Sequence, residues 1–301
     1  MFEWDSKRLG KEIKDLRMQA GLSQSELAED IISQGHISNL EKGKLGVYLS
    51  AKNLFRLAER LGVPVDYFYH VATYSEINYA NTIKDKITEL INIQDYQMAY
   101  QIIKREKKSP VFFKNRRNKQ FLLWQEGIAL FYIDKQKDQV LLLLNEALKL
   151  TNCNPNISSE QDIEILNSIG IIHYETNDQI NATATYNKAL RKFDEIPYIS
   201  DPSIKTKLKY NLAKSQTGIK NYQSSIKTCL EGIKWAATNH SLKSLGKLHY
   251  QIAYNHLKIG ELNDAYDYFT KAKTYFELLE DHQSLKKANE MLIITKQKLV
   301  G

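Results

Sequence analysis

The first seventy residues carry apolar positions at the spacing of short amphipathic helices. Leu9, Ile13 and Leu16 lie three and four residues apart, which places them on one face of a helix. Gly21 follows, and glycine readily adopts the left-handed conformation that ends a helix. We therefore predict a first helix that stops just before Gly21.

Serine residues mark the starts of the next two helices. Ser23 is followed three residues later by Glu26, which is the capping-box spacing, so a short second helix is predicted there. Ser33 is predicted to cap a third helix, with Ile37 and Leu40 facing inward. A tight turn therefore joins the second helix to the third.

Two more helices complete this segment. A fourth is predicted over about 50–61, where Gly62 and Pro64 break it, and a fifth starts at Asp66. Five short helices in about 65 residues, with a tight turn between the second and third, are the layout of a helix-turn-helix DNA-binding domain.

The third helix carries uncharged hydrogen-bonding side chains that suit the major groove. Glutamine and asparagine can make bidentate contacts to adenine there, and lysines just past the helix lie where phosphate is expected. The residues predicted to contact DNA on or beside this helix are Ser33, Gln34, Gly35, His36, Ser38, Asn39, Lys42 and Lys44. His36 is equally compatible with a solvated surface histidine. Gly35 either allows close backbone approach or removes one base contact.

Two stretches, 17–28 and 36–44, resemble the XRE or lambda-repressor-like family, and the resemblance covers roughly residues 5–70. It implies that Gln24 contacts a phosphate or an outer base. It also implies that Arg17 and Glu41 form an internal ion pair between the first and third helices. The alternative for Glu41 is a plain solvated charge.

The rest of the chain has almost no strand signal and contains a repeat. In three copies a small residue is followed by a second small residue after 12 positions, a large one after 16 and a small one after 19. These anchors are Gly170, Ala182, Tyr186 and Ala189; Ala213, Ser225, Cys229 and Gly232; Ala253, Ala265, Phe269 and Ala272. The pattern is tetratricopeptide-like and predicts about five helix pairs, with 283–299 as a capping helix. An ordinary helical bundle is the alternative.

An XRE-type domain joined to such repeats resembles the RRNPP family of peptide-responsive quorum-sensing transcription regulators, and within it the PlcR-like members. The resemblance includes 64–77 and 210–214 and covers nearly the whole chain. It implies an all-α fold: a five-helix lambda-repressor-like domain at 1–70, a linker at 71–80 and a right-handed tetratricopeptide superhelix at 81–301. It further implies a cytoplasmic homodimer that binds a short signalling peptide in the concave groove of its repeats.

Asparagines on the first helices of the repeats are the candidate peptide contacts. An asparagine side chain offers one acceptor and two donors, so it can satisfy the amides of an extended peptide without reading its sequence. Asn167 and Asn211 match groove asparagines of the PlcR-like pattern, and Tyr210, Gln251 and Asn255 are weaker candidates. The alternative for any one of them is simple solvent exposure.

The net charge of +7 suggests a nucleic-acid partner, but its position changes that interpretation. Residues 1–70 hold ten basic and ten acidic residues, so one copy is expected to bind DNA weakly. A dimer on a pseudo-palindromic operator is the usual remedy. The strip at 104–119 holds eight basic residues and one acid. A solvated loop, a phosphate contact and an acidic-ligand contact all remain open for it.

Other chemistry is weakly represented. No apolar run is long enough for a membrane helix, no signal peptide is visible, and two cysteines exclude a disulfide scaffold. His249 and His256 are seven positions apart on one helix, and His173 lies in another repeat. A metal site needs more ligands close by, so we predict no metal site, and no cofactor. No catalytic motif is present, so an enzyme is not expected. The alternative function is a constitutive DNA-binding regulator whose repeats dock a folded protein.

Overall fold

The computed structural model describes residues 5–44, 46, 48–134, 136–151 and 158–300. Its helices are α1 (Ser6–Gln19), α2 (Gln24–Ala28), α3 (Gln34–Glu41), α4 (Ala51–Arg60), α5 (Val65–Asn92), α6 (Tyr96–Glu106), α7 (Pro110–Phe113), α8 (Arg116–Asp134), α9 (Lys137–Thr151), α10 (Glu160–Glu175), α11 (Gln179–Asp194), α12 (Ser203–Gly218), α13 (Tyr222–Thr238), α14 (Leu245–Ile259), α15 (Leu262–Leu278) and α16 (His282–Val300). No strand occurs in this described part, which confirms the predicted all-α class. Within the same ranges, no helix combines the length and the apolar character needed to cross a bilayer.

The predicted serine caps are present. Ser23 accepts a hydrogen bond from the backbone N–H of Glu26, whose carboxylate accepts one from the N–H of Ser23, so the capping box is complete. At the starts of α3 and α4, the hydroxyls of Ser33 and Ser50 each accept a hydrogen bond from the backbone N–H three residues later. Each cap satisfies a backbone N–H that has no partner inside its own helix.

The chain forms two compact units, Met1–Leu122 and Leu123–Gly301. In the first, α1 to α5 enclose one hydrophobic core. Its buried members include Leu9, Ile13, Leu27, Ile37, Leu57 and Phe68. These are the inward positions of the predicted apolar stripes, together with the aromatic residue at the start of the fifth helix.

Helix α5 extends far beyond the helix-turn-helix core. Residues 71–80, which the sequence suggested as a linker, lie inside this 28-residue helix. Helices α6 and α7 pack against α5. The compact unit Met1–Leu122 thus contains the helix-turn-helix core together with α5, α6 and α7.

The basic strip at 104–119 is mostly helical, which corrects its interpretation as a loop. It comprises the end of α6, all of α7 and the start of α8. Its basic side chains are exposed, whereas its one acid, Glu106, is buried. The Glu106 carboxylate accepts hydrogen bonds from the Tyr79 hydroxyl at 2.8 Å and from Arg105 Nε at 2.9 Å.

The second unit contains successive helix pairs. Helix α10 packs on α11, α12 on α13, and α14 on α15, and α16 then packs on α15. All twelve predicted anchor residues of the three repeats are buried. The first small anchor meets the large one 16 positions later: a Cβ added to Gly170 would lie 2.3 Å from Cε1 of Tyr186. The small residue is therefore needed for close helix packing.

The first helices of the pairs are neighbours as well, because α10 also contacts α12, and α12 contacts α14. Asn167 on α10 and Asn211 on α12 lie where these two helices face each other. Cys229 is an unpaired buried anchor of α13, and burial raises the pKa of its thiol. Cys153 lies outside the described residues.

Candidate functional site

Helices α2 and α3 form the predicted helix-turn-helix. Ile37 and Leu40 bury one side of α3 in the core, so the opposite side is left for contacts outside the unit. On that side Gln34 is exposed, and Ser38 and Asn39 are partly exposed. Lys42 and Lys44 follow the helix, are exposed, and form no ion pair within the described residues.

A chain of hydrogen bonds joins the core to the exposed end of α3. Nε of Arg17 donates to Glu41 Oε1 at 2.6 Å, which is the ion pair predicted from the family resemblance. The side chains of this ion pair are only 12% and 4% exposed. Nε2 of Gln24 donates to Glu41 Oε2 at 2.8 Å, and Nε2 of Gln34 donates to Gln24 Oε1 at 2.7 Å. The buried pair therefore fixes the positions of two glutamines at the surface.

The charges of the pair stabilise each other. Burial alone would raise the pKa of the Glu41 carboxyl, but hydrogen bonds from Arg17 and Gln24 outweigh burial and lower that pKa. The hydrogen bond to Glu41 raises the pKa of the Arg17 guanidinium. Nη1 of Arg17 also donates to the carbonyl of Leu22 at 2.7 Å, in the turn before α2. Helices α1, α2 and α3 are thus joined at one point.

The other residues predicted to contact DNA differ in how free their polar atoms are to do so. The Ser33 hydroxyl oxygen accepts from the His36 N–H, so it serves the cap. Nε2 of His36 is buried and has no hydrogen-bond partner among the described residues, so the ring is turned partly inward. At Gly35 nothing lies within 4 Å of an added Cβ, so a side chain there would extend into open space. The link between Gln24 and Gln34 was not visible in the sequence, because it joins residues ten positions apart on different helices.

In the repeats, three polar side chains occupy one face of α12. Lys214 is four positions from Tyr210 and three from Asn211. It is therefore a neighbour of both on the helix surface. Nδ2 of Asn211 donates to Asn167 Oδ1 at 2.8 Å, whereas Asn211 Oδ1 accepts no hydrogen bond from the described residues. The Tyr210 hydroxyl likewise makes none to them, and burial raises the pKa of Tyr210 to about 12.

Asn167 is more enclosed than Asn211. It is 4% exposed, and its Nδ2 lies 3.4 Å from Glu164 Oε2. Glu164 in turn accepts from Nζ of Lys207 at 2.5 Å. The structure therefore brings the two predicted asparagines together, with Asn211 presenting the accessible acceptor.

Gln251 and Asn255 belong to a network between α12, α13 and α14. Gln251 donates to the Thr217 hydroxyl at 2.8 Å, and that hydroxyl lies 2.7 Å from Asn255 Oδ1. Nδ2 of Asn255 donates to Ser225 Oγ at 2.7 Å, and Asn255 is completely buried. Both ends of the Asn255 amide are thus occupied, and the network holds helices together. We leave Asn255 and Gln251 out of the peptide contacts proposed below.

Two of the three histidines lie on α14. His249 stacks on Tyr275 with ring centroids 5.3 Å apart, and burial lowers its pKa to about 4. His256, with Glu261 and Asp264, places one ligand atom from each residue within 4.8 Å of the others. Nδ1 of His256 is, however, already bonded to Glu261 at 2.5 Å. We assign no metal to this cluster.

Comparison with known proteins extends this description. The RNPP family C-terminal domain matches residues 84–297, and a helix-turn-helix domain matches residues 13–68. No curated protein sequence gives a match.

Solved structures give close matches. PlcR of Bacillus thuringiensis in complex with the peptide PapR7 and DNA is 27% identical, with a TM-score of 0.78 over 94% of this chain and 99% of that one. Its apo form is 25% identical, with a TM-score of 0.66 over 95% and 98%. ComR of S. thermophilus, solved with DNA and its signalling peptide ComS, is 13% identical with a TM-score of 0.63 over 96% and 99%, which shows the fold alone.

The fold and these matches define the class: a helix-turn-helix transcription regulator with a helical-repeat domain, rather than an enzyme. Because the C-terminal domain match spans more than half of its length, the chain belongs to the RNPP family.

Proposed function

We propose that this chain is a sequence-specific DNA-binding transcription regulator controlled by a short signalling peptide. Residues 1–70 bind the operator, residues 81–301 bind the peptide and dimerise, and 71–80 join them. The working form is a cytoplasmic homodimer on pseudo-palindromic DNA. PlcR, solved with PapR7 and DNA, supports this pairing of ligands by its similarity.

The observation that carries the peptide assignment is the polar face of α12. An extended peptide has backbone N–H groups that need acceptors, and burying them unsatisfied costs about 1–3 kcal/mol each. Asn211 Oδ1 is an acceptor without a partner among the described residues, and Asn211 itself is anchored through Nδ2 to Asn167. An anchored side chain loses little conformational entropy when it binds, which favours affinity.

Control by a peptide requires that it bind two conformations of the protein unequally. A peptide that prefers one arrangement of the repeats shifts the population toward it, by at most its difference in affinity. The helix-turn-helix domains of a dimer read two half-sites at a fixed spacing, so such a shift changes DNA affinity.

The peptide site is tested by affinity selection from a random heptapeptide pool, using the purified full chain. The best retained sequence is synthesised and its affinity measured by calorimetry. Asn211→Ala is expected to weaken binding on the order of 10-fold, because it removes the acceptor and its anchor. Asn187→Ala, an exposed position on α11, is the matched control. Retention of no peptide would overturn the proposal, and capture of a stoichiometric folded protein instead would favour the docking alternative.

The DNA assignment makes a prediction that separates base contacts from phosphate contacts. After selection of the preferred operator from random duplexes, Gln34→Ala is expected to cost about 1–3 kcal/mol and to relax preference at one base pair. Lys44→Gln is expected to weaken binding to all sequences about equally and to reduce the salt slope by about 1. Equal loss on every sequence for Gln34→Ala would exclude base recognition by that residue.

A further inference from the structure

Three lysines from different repeat helices surround the polar face of α12. Lys214 lies on that face, and Lys247 and Lys287 line a cavity of about 250 Å³ beside it. The rest of the cavity lining is Tyr210, Tyr250, Phe276 and Ser284. The cavity is therefore both cationic and aromatic.

Lys214 is half-buried, and no carboxylate of the described residues forms an ion pair with it. Its Nζ lies 4.4 Å from the centroid of the Tyr174 ring and 5.8 Å from that of Tyr210. Aromatic faces attract a cation, yet they do not neutralise it. Burial lowers the pKa of the Lys214 ammonium, and the charges of Lys247 and Lys287 lower it further, against the effect of Glu175. The positive charge of Lys214 is thus made less favourable by its two lysine neighbours.

Two of the acids near this cluster accept hydrogen bonds from other groups, although Asp281 also feels the charges of Lys247 and Lys287. The Glu175 carboxylate accepts a hydrogen bond from the Tyr132 hydroxyl at 2.8 Å. Asp281 accepts from the backbone N–H of Ser284 at 3.0 Å, next to the start of α16. Within the described residues, Lys214, Lys247 and Lys287 form no ion pair with a carboxylate. An incoming anion would relieve their mutual repulsion.

The position of the cavity indicates the source of that anion. Tyr210 belongs to the cavity wall and also lies next to Asn211, the proposed contact to the peptide backbone. A chain held by Asn211 therefore lies beside Lys214, which is three residues further along α12. The aromatic walls suit the apolar part of such a residue, and the volume suits a single side chain.

We propose that this cavity binds a carboxylate of the signalling peptide, either its C-terminal carboxylate or an Asp or Glu side chain. The inference rests on the peptide-binding function proposed above and names the chemistry of its ligand. Lys214 donates to the carboxylate from within the groove, and Lys247 and Lys287 supply the surrounding positive charge.

Two random heptapeptide pools distinguish the sources of the carboxylate. One pool has free C-terminal acids and the other has C-terminal amides, and both are applied to the full wild-type chain. If the C-terminus is the ligand, the amide pool is retained at least 10-fold less. If a side chain is the ligand, both pools are retained and the bound fraction is enriched in Asp and Glu at one position.

Variants locate the effect. Lys214→Met keeps the alkyl packing on Tyr174 and removes the charge, and it is expected to weaken the best peptide by roughly 10-fold or more. Its affinity for the matching neutral peptide, an amide or a Gln or Asn analogue, is expected to change little. A double variant, Lys247→Gln with Lys287→Gln, removes the other two charges. Its control is the double variant Lys188→Gln with Lys227→Gln, which changes exposed lysines on α11 and α13.

The outcomes separate this inference from the proposed function. Peptides retained by the wild-type chain with no acid enrichment and no difference between the pools would overturn the carboxylate site alone. An equal loss for charged and neutral peptides in Lys214→Met would also overturn it, since that result indicates lost packing. Retention of no peptide from either pool would overturn both.

Discussion

Replacing Glu41 by alanine is expected to lower the free energy of unfolding of the helix-turn-helix core by about 3–5 kcal/mol. The substitution leaves the Arg17 guanidinium, 12% exposed, without its carboxylate, and an uncompensated buried charge costs about that much. It also releases Gln24, and through it Gln34, so operator affinity is expected to fall as well. Hydrogen exchange of the α3 amides in the full chain measures the loss of stability locally.

Two comparisons keep this result interpretable. Glu59→Ala removes an exposed acid from α4 and is expected to change the free energy of unfolding by less than about 0.5 kcal/mol. Arg17→Met combined with Glu41→Leu removes both charges and is expected to recover much of the lost stability. A loss below about 1 kcal/mol in Glu41→Ala would contradict a structural role for the pair.

Replacing Gly170 by valine is expected to destabilise the repeat unit by about 3 kcal/mol. Even a Cβ would lie 2.3–2.8 Å from three ring atoms of Tyr186, and that ring is 1% exposed, so it has little room to move. Overpacking of this kind typically costs about 1–3 kcal/mol. Hydrogen exchange of the α10 and α11 amides measures the change.

A compensating change tests the contact itself. Gly170→Ala alone is expected to destabilise less than valine, and Tyr186→Leu alone leaves a cavity. The double variant Gly170→Ala with Tyr186→Leu is expected to lose clearly less unfolding free energy than the two single variants lose together. The new methyl group occupies space that the ring has left. If the two losses of unfolding free energy are strictly additive, the side chains at positions 170 and 186 do not contact each other.

The sequence by itself determined much of the local structure. The serine caps and the apolar stripes of the first helices depend on residues within one helical turn, so spacing was enough to place them. The repeat anchors also appeared in the sequence, because Gly170 and Tyr186 must meet in every copy of such a pair. Residues 71–80 were predicted as a linker, yet they continue α5, and Ala72 and Ala80 are buried along it.

Some contacts of the candidate sites could be foreseen from the sequence, and others could not. The Arg17–Glu41 pair could be foreseen only by resemblance, since the two residues are 24 positions apart. Asn167 and Asn211 were recognised individually, but their hydrogen bond across 44 positions was not. Asn255 looked similar to them in sequence, yet the fold buries it completely. Its neighbours on α12 and α13, rather than its own residue type, decide this.

Sequence alone thus determined the first helices and the repeat anchors, because these follow from residue spacing along a single chain, and the class of protein followed from the family resemblance. It also located the net charge of +7 in the strip at 104–119. Only the tertiary structure decided which polar groups are left without partners. Within the described residues, Asn211 Oδ1 accepts no hydrogen bond and the ammonium of Lys214 forms no ion pair, because of what the helices distant in sequence place around them.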